Sequence, residues 1–174
     1  MGQRRGPSVR PARIGVIGSA EANPEELAIA HAVGRALARA EALLVCGGGG
    51  GVMAAAAQGA ALEGGQVLGI LPGDDPDAAP AGGTIPLPTG LGEVRNALVV
   101  KASEALIVVA GGWGTVNEAA LCMKIGRPLV GVHDTIGDRF EIERLDDPAA
   151  AVARALELAT QWRSARARIT HRAR

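Results

Sequence analysis

Residues 103–118, S-E-A-L-I-V-V-A-G-G-W-G-T-V-N-E, decide the fold. Residues 105–110 are an unbroken apolar run rich in β-branched side chains, which is typical of a strand buried on both faces of a parallel sheet. The run stops at Gly111-Gly112, and good helix formers follow within a few positions. Thr115 and Glu118 have the spacing of a capping box, which predicts a helix start near Thr115. The segment therefore predicts a strand, a tight glycine turn and a helix.

A second glycine turn has the same construction. Residues 42–46 form a short apolar strand that runs directly into Gly47, Gly48, Gly49, Gly50 and Gly51, and an alanine-rich helix follows. Five consecutive glycines lose much conformational entropy on folding, so a chain that needed only a turn would have little use for them. Glycines let a ligand approach the backbone, and the amides and dipole of a helix N-terminus favour an anion. We therefore predict that both turns bind phosphate; the alternative is that they only make close turns between strand and helix.

The remaining chain alternates between strand-like and helix-like segments. Asn23, Pro24 and Glu26 give three helix start signals at once, directly after a first strand at residues 13–19. Further strands are predicted at residues 66–71, 84–87, 128–132 and 140–144, and further helices at 91–102 and from 149 to about 165. This alternation predicts an α/β fold: a Rossmann-like, doubly wound parallel sheet with helices on both faces. We expect one domain at residues 13–165, a disordered leader at 1–12 and a basic tail at 166–174.

Composition narrows the function classes. The 174 residues are 48% hydrophobic and 21% charged, with a net charge of zero, so neither nucleic acid nor a membrane is expected as a partner. The apolar runs are too short to span a bilayer, and a cytoplasmic location is expected. Cys46 and Cys122 fit two reduced, buried thiols. Asp74, Asp75 and Asp77 fit a solvated loop better than a cation site, so no metal and no bound cofactor are predicted.

Three common site types do not match the sequence. The first turn, G-V-I-G-S-A, lacks the dinucleotide fingerprint, and no acidic residue ends the second strand, so NAD is not expected. Neither Lys101 nor Lys124 follows glycines as a P-loop lysine does. No G-x-S-x-G elbow provides a serine nucleophile.

Four features of the sequence occur together: the glycine run through Met53, L-G-I-L-P at residues 68–72, Arg95, and G-G-W-G-T-V-N-E at residues 111–118. This combination resembles the Lonely Guy family of cytokinin riboside 5'-monophosphate phosphoribohydrolases, long mislabelled lysine decarboxylases. The features occur in the family's order over about residues 14–132. The resemblance implies a Rossmann-like sheet, a homodimer or higher homo-oligomer, and a nucleoside monophosphate cleaved at its N-glycosidic bond. No lysine stands in a convincing site for pyridoxal phosphate, so true lysine decarboxylation is not expected.

The resemblance also assigns roles to residues. Glu118 matches the family's catalytic carboxylate and Arg95 its catalytic arginine, while Trp113 is positioned to stack on a base. The alternatives are a purely structural cap for Glu118, an exposed helix residue for Arg95 and a packing role for Trp113. The predicted phosphate- or nucleotide-binding residues are Gly18, Ser19, Gly47, Gly48, Gly49, Gly50, Gly51, Met53, Asn96, Gly111, Gly112, Trp113, Gly114 and Thr115.

The chain departs from the family at one helix. The family has E-R-K or E-R-R where this chain has Val94-Arg95-Asn96, and Ala110 replaces the usual proline before the glycines. The predicted pocket therefore lacks one cation and one carboxylate. The Arg-Asn pair is similar to a neighbouring branch that also resembles a molybdenum cofactor carrier protein. This similarity implies an alternative function, a non-catalytic carrier or sensor of a phosphorylated ligand.

Overall fold

Every strand of the sheet is parallel to its neighbours, as the alternation of strands and helices predicts. The computed structural model describes residues 10–80, 83–133, 136 and 140–172. The strands in these ranges are β1 (Arg13–Ile17), β2 (Leu43–Cys46), β3 (Val67–Leu71), β4 (Thr84–Pro88), β5 (Ala105–Val108), β6 (Leu129–Val132) and β7 (Glu143–Leu145). The α-helices are α1 (Pro24–Arg39), α2 (Gly51–Leu62), α3 (Asn96–Ala102), α4 (Trp113–Ile125) and α5 (Pro148–Arg172).

The strand order is β4-β3-β2-β1-β5-β6-β7, so the sheet grows in both directions from β1 and β5. Ile14 of β1 is in register with Leu44 of β2 on one side and with Ala105 of β5 on the other. The chain winds first toward β4 and then returns to build β5, β6 and β7. The order therefore reverses between β1 and β5, and in open α/β sheets ligands bind beyond the carboxyl ends of the strands at this switch point.

Two apolar layers cover the two faces of the sheet, which confirms the predicted doubly wound fold. One layer packs α1, α2 and α5 on the sheet through side chains such as Leu37 and Ala56. The other packs α3 and α4 through side chains such as Val100 and Cys122. The inner strands β1, β2, β5 and β6 are almost entirely buried because both faces are covered, whereas the edge strands β4 and β7 are partly exposed.

Several predicted boundaries hold and others move. The cap of α1 has its complete capping box, since Asn23 Oδ1 accepts from the amide of Glu26 and Glu26 Oε2 accepts from the amide of Asn23. The last helix does not end near residue 165 but continues to Arg172. The helix predicted at residues 91–102 is a 3₁₀ turn (Gly92–Arg95) followed by α3. The edge strand predicted at 140–144 is β7, three residues long and shifted toward Leu145.

Both cysteines are free and buried, as predicted. No described helix combines the length and apolarity needed to cross a membrane. Within the same residues, no three histidine, cysteine, aspartate or glutamate side chains are grouped as a metal site requires. Most of the predicted disordered leader and the last two residues of the predicted basic tail lie outside the described residues.

Candidate functional site

A cavity of about 220 Å³ lies at the switch point between β1 and β5. It is bounded by the turn that follows β1, the turn that follows β5, the start of α2 and the segment between β4 and α3. Nine of the described lining residues belong to the predicted site, and two do not. The nine are Gly18, Ser19, Met53, Arg95, Asn96, Gly112, Gly114, Thr115 and Glu118.

The N-terminus of α4 forms one wall of this cavity. The predicted capping box is wrong: α4 begins at Trp113, its N-cap is Gly112, and no side chain caps it. The helix begins two residues earlier than predicted because Gly112 has the extended backbone of an N-cap, and its carbonyl accepts the first helical bond from the amide of Val116. The first-turn amides thus have no intrahelical partner. A Cβ at Gly112 or Gly114 would meet nothing within 4 Å, so a ligand can approach this backbone.

Arg95 forms the opposite wall and is held in place by its neighbours. Its side chain is 8% exposed, and its Nη1 donates to Asn96 Oδ1 at 2.7 Å. A Cβ at Gly47 would overlap the guanidinium, so glycine is required there for Arg95 to occupy its position. Arg95 Nε is buried and has no hydrogen-bond partner in the described chain. A buried donor without a partner costs free energy, and an anion in the cavity would offset that cost.

Glu118 lies between these two walls. It is 6% exposed, and because α4 begins at Trp113 its side chain has no capping role. Burial raises the pKa of the Glu118 carboxyl to about 7; the Arg95 charge opposes this rise and Glu93 adds to it. The carboxyl therefore changes its charge close to neutral pH, which suits either a general acid or base or a neutral hydrogen-bond donor.

This titration makes a prediction for stability. Folding raises the pKa of Glu118 from 4.5 to about 7, so the native chain keeps a proton that the unfolded chain releases between these values. The folded state should thus lose stability as the pH rises from 5 to 8. Glu118→Gln should not show this loss of stability. Between pH 5 and pH 8 its free energy of unfolding should rise by about 2 kcal/mol relative to that of the wild type. Urea denaturation at pH 5, 6.5 and 8 measures the difference. Glu21→Gln, which removes an exposed carboxylate outside the cavity, is the control, and parallel wild-type and Glu118→Gln curves would contradict the prediction.

The pentaglycine turn supports the site from behind instead of lining it. Among the described lining residues there is no member of the run 47–51. Gly47 makes room for Arg95, and Gly48, at a φ of +67°, packs against Leu71. Gly51, at a φ of +56°, lies against the backbone carbonyls of residues 19 and 20 at the start of α2. The turn thus fixes the positions of Arg95 and α2, and direct phosphate binding by these five glycines stays a prediction.

Two other predicted residues also lie outside the described lining. Gly111 packs against Thr115 and Ile136, beneath the turn. Trp113 is 79% exposed on the first turn of α4, so it does not pack beneath the turn. Its stacking role stays a prediction.

Sequence reasoning missed Ala20 and Glu93 as lining residues. Where the Lonely Guy family has a glutamate, this chain has Val94. Glu93, one position earlier, supplies a carboxylate to the cavity instead. The segment from 92 to 95 is a 3₁₀ turn, and its tighter winding brings both Glu93 and Arg95 to the cavity. Val94 points away and is largely exposed. The prediction that the pocket lacks a carboxylate is therefore wrong. The pocket does lack the second cation of the family motif, because Asn96 occupies that position.

The arrangement is suited to a small phosphorylated ligand. One cation, the free amides of a helix N-terminus and the Thr115 side chain face a carboxyl group that is neutral or charged depending on pH. The cavity is the meeting point of four segments that are far apart in sequence.

Comparisons with known proteins find relatives in sequence and in fold. An uncharacterised protein of Archaeoglobus fulgidus is 43% identical over 124 residues, covering 71% of this chain and 82% of its own. The molybdenum cofactor binding protein of Rippkaea orientalis superposes with a TM-score of 0.80 at 30% identity, over 87% of this chain and 99% of the other. The molybdenum cofactor carrier protein of Chlamydomonas reinhardtii gives a TM-score of 0.74 at 31% identity, with the same coverage.

The family follows from the sequence match. The sequence profile of the SLOG cluster4 family matches residues 11–161, which include all seven strands described above and every residue that lines the cavity. The chain belongs to the SLOG cluster4 family.

Proposed function

We propose that this protein binds a phosphorylated small molecule at the β1–β5 switch point and carries it without cleaving it. A pterin phosphate of the molybdenum cofactor type is the first candidate ligand, because the structural relatives named above bind or carry that cofactor. The observation that carries the proposal is the pairing of the uncapped α4 N-terminus with Arg95 around one cavity.

The size of the cavity indicates which part of the ligand it holds. At about 220 Å³ it is smaller than the roughly 300–1,000 Å³ of sites that enclose a drug-sized ligand. It suits a phosphate and the atoms next to it, while the ring system of the ligand extends to the open side. Trp113 and Val94 are exposed apolar side chains on the two segments that form the cavity walls. They support both a contact with the ring and the homo-oligomer expected from the sequence.

The charges favour carriage. The ionisable groups on the described lining are one cation, Arg95, and two carboxyl groups, Glu93 and Glu118. A dianionic phosphate is repelled by an ionised Glu118, but a protonated Glu118 can donate to it. The raised pKa of Glu118 keeps about half of its carboxyl groups protonated at pH 7. Asn96 accepts a hydrogen bond from Arg95 where the Lonely Guy motif has a second cation, so its role is to orient Arg95.

The second candidate is hydrolysis of the N-glycosidic bond of a nucleoside monophosphate, as the Lonely Guy resemblance implies. Glu118 supports it, because a carboxylate with a raised pKa can take a proton from water. The water oxygen would bond to the anomeric carbon, the carbon–nitrogen bond would break, and the base would leave with a proton. Free base and ribose 5-phosphate would be the products.

One experiment separates the two functions. The purified protein is incubated with AMP and, separately, with molybdenum cofactor, and both the bound and the released molecules are analysed by chromatography. If the protein is a carrier, it should bind one ligand per chain and the ligand should be recovered unchanged. Glu118→Gln should then bind the ligand at least as well as the wild type at pH 8. Hydrolysis predicts adenine in the medium from the wild type and none from Glu118→Gln.

The outcomes that overturn the carriage proposal are specific. Release of free base at many turnovers per chain would replace it with hydrolysis. Absence of binding of either probe, measured by calorimetry and by thermal protection at saturating concentration, would end the proposal of a phosphate site at this cavity.

A further inference from the structure

A second cavity lies at the opposite edge of the sheet, where the strands begin. Its volume is about 420 Å³. Its described lining consists of five cationic side chains and one tryptophan, and none of them lines the first cavity. These residues are Arg10, Arg13, Lys101, Trp162, Arg163 and Arg166.

One buried carboxylate accounts for part of this cationic cluster. Glu104 is 0% exposed and stands directly before β5. Its carboxylate pairs with Arg10 at 2.8 Å, with Arg13 at 3.4 Å and with Arg163. Arg163 also donates to the backbone carbonyls of residues 10 and 11, so it ties α5 to the segment before β1. A single carboxylate thus anchors three of the five arginine and lysine side chains.

Several guanidinium nitrogens around Glu104 are buried and have no hydrogen-bond partner among the described residues. Arg13 Nε and Arg163 Nε are buried and make no hydrogen bond within the described residues. Arg127 adds two more such atoms, Nε and Nη1, and is only 7% exposed. Buried guanidinium nitrogens are costly to leave unpaired. Burial lowers the pKa of both Arg13 and Arg127, and neighbouring cations add to this effect while Glu104 opposes it.

Arg127 belongs to the cavity through Trp162. Its guanidinium carbon lies 4.0 Å from the centroid of the Trp162 ring, and that of Arg166 lies 5.0 Å from it. Because guanidinium groups lie over the Trp162 ring, little room is left for a nucleotide base to stack on it. The site would therefore recognise a ligand by its charge and not by an aromatic ring. The described lining carries five cationic side chains and no carboxylate, and Glu104 behind it pairs with three of the five.

We infer that this amino-edge cavity is a binding site for a polyanion with two or more linked phosphates, held through its phosphate oxygens. A single phosphate or sulfate carries about two charges and can contact only some of the cations on this lining. A diphosphate or triphosphate can contact more of these cations and matches the arginine forks, which bind phosphate oxygens bidentately. The phosphates can come from inorganic polyphosphate or from a nucleotide.

The test measures binding of pyrophosphate, tripolyphosphate, ADP and ATP to the full chain by calorimetry, with sulfate and phosphate at matched ionic strength. In Arg95→Met, where the first cavity has lost its cation, we expect one site per chain that binds tripolyphosphate at least about tenfold more tightly than phosphate or sulfate. Equal affinity for tripolyphosphate and ATP assigns the site to phosphates from any source, and tighter ATP binding assigns it to nucleotides. Lys101→Gln with Arg166→Gln should weaken tripolyphosphate binding about tenfold while leaving the three Glu104 ion pairs in place.

Two control variants make the result specific. Lys124→Gln with Arg154→Gln changes the net charge equally but lies outside the cavity, and it should bind as the wild type does. Arg95→Met removes the cation of the first cavity and should abolish only the binding there, so the site that remains in it reports on the amino-edge cavity alone, and failure of the proposed carrier function and failure of this inference are distinguishable. Tripolyphosphate that binds no better than sulfate, or that binds the Lys101/Arg166 double variant as well as the wild type, would overturn the inference.

Discussion

Glu104→Gln is expected to destabilise the folded protein by about 3–5 kcal/mol, the usual loss when one partner of a buried ion pair is removed. The side chain is fully buried, and glutamine has nearly the same shape, so the loss comes from charge and not from a cavity. Arg13 and Arg163, whose side chains are 35% and 24% exposed, would then keep their charges without the carboxylate that compensates them. Urea denaturation at pH 7 measures the effect.

The position of Glu104 explains why the effect should be large. One of its oxygens accepts a hydrogen bond of 3.0 Å from the backbone amide of Arg13, which is the first residue of β1. The same carboxylate binds Arg163 of α5, so one side chain links the central strands to the last helix. Glutamine keeps an oxygen for the amide but loses the charge that holds the arginines. Unfolding should remain cooperative, with a lower midpoint and an unchanged dependence on urea.

The pH profile provides an independent check. Burial opposes ionisation of Glu104, but the hydrogen bonds from Arg163 and from the Arg13 amide outweigh it, so the pKa lies below its ordinary value of 4.5. A lowered pKa stabilises the fold above the unfolded-state value, and this contribution is lost as the pH falls through the native-state value. The difference between wild type and Glu104→Gln should therefore shrink in acid. Glu63→Gln is the matched control, since Glu63 also pairs with two arginines, Arg35 and Arg39, but at the surface. Its effect should be far smaller, and equal effects would contradict the prediction.

The central strand and its glycine turn were predictable because their signals are local. The apolar run before Gly111 is short and rich in β-branched side chains, which favours a buried strand, and the alternation of such runs with helices implies a parallel sheet. Parallel topology in turn predicts that the turns after β1 and β5 meet at one edge. The sequence thus predicted nine of the described lining residues without predicting the contacts between them.

What sequence reasoning missed depends on contacts between distant segments. Glu104 lies inside the segment that decided the fold, yet its partners come from the two ends of the chain, and no spacing rule connects them. Gly47 had a plausible reading as a phosphate cradle, and only the path of the segment from 92 to 95 reveals that it makes room for Arg95. The capping box failed because Gly112, three positions before Thr115, caps the helix through its backbone alone.

Arg95→Met is expected to weaken binding of a phosphorylated ligand about a hundredfold, the range typical for removing one member of a buried charged hydrogen-bonded pair. Arg95 is the cation on the described lining of the first cavity, and its buried Nε has no partner within the chain described. Methionine has a similar length and fills the space without charge. Calorimetric titration with AMP and with molybdenum cofactor measures the loss.

Two further variants show whether the loss comes from charge or from geometry. Arg95→Lys keeps the charge but not the planar fork that Asn96 orients, so we expect a loss intermediate between wild type and Arg95→Met. Gly47→Ala leaves Arg95 intact, but its Cβ must displace the guanidinium, so it too should weaken binding. A shared loss in all three variants, with each still folded by circular dichroism, is the result expected if the ligand's phosphate binds between Arg95 and α4. Wild-type affinity in Arg95→Met would exclude that position, because no other cation on the described lining can replace the lost charge.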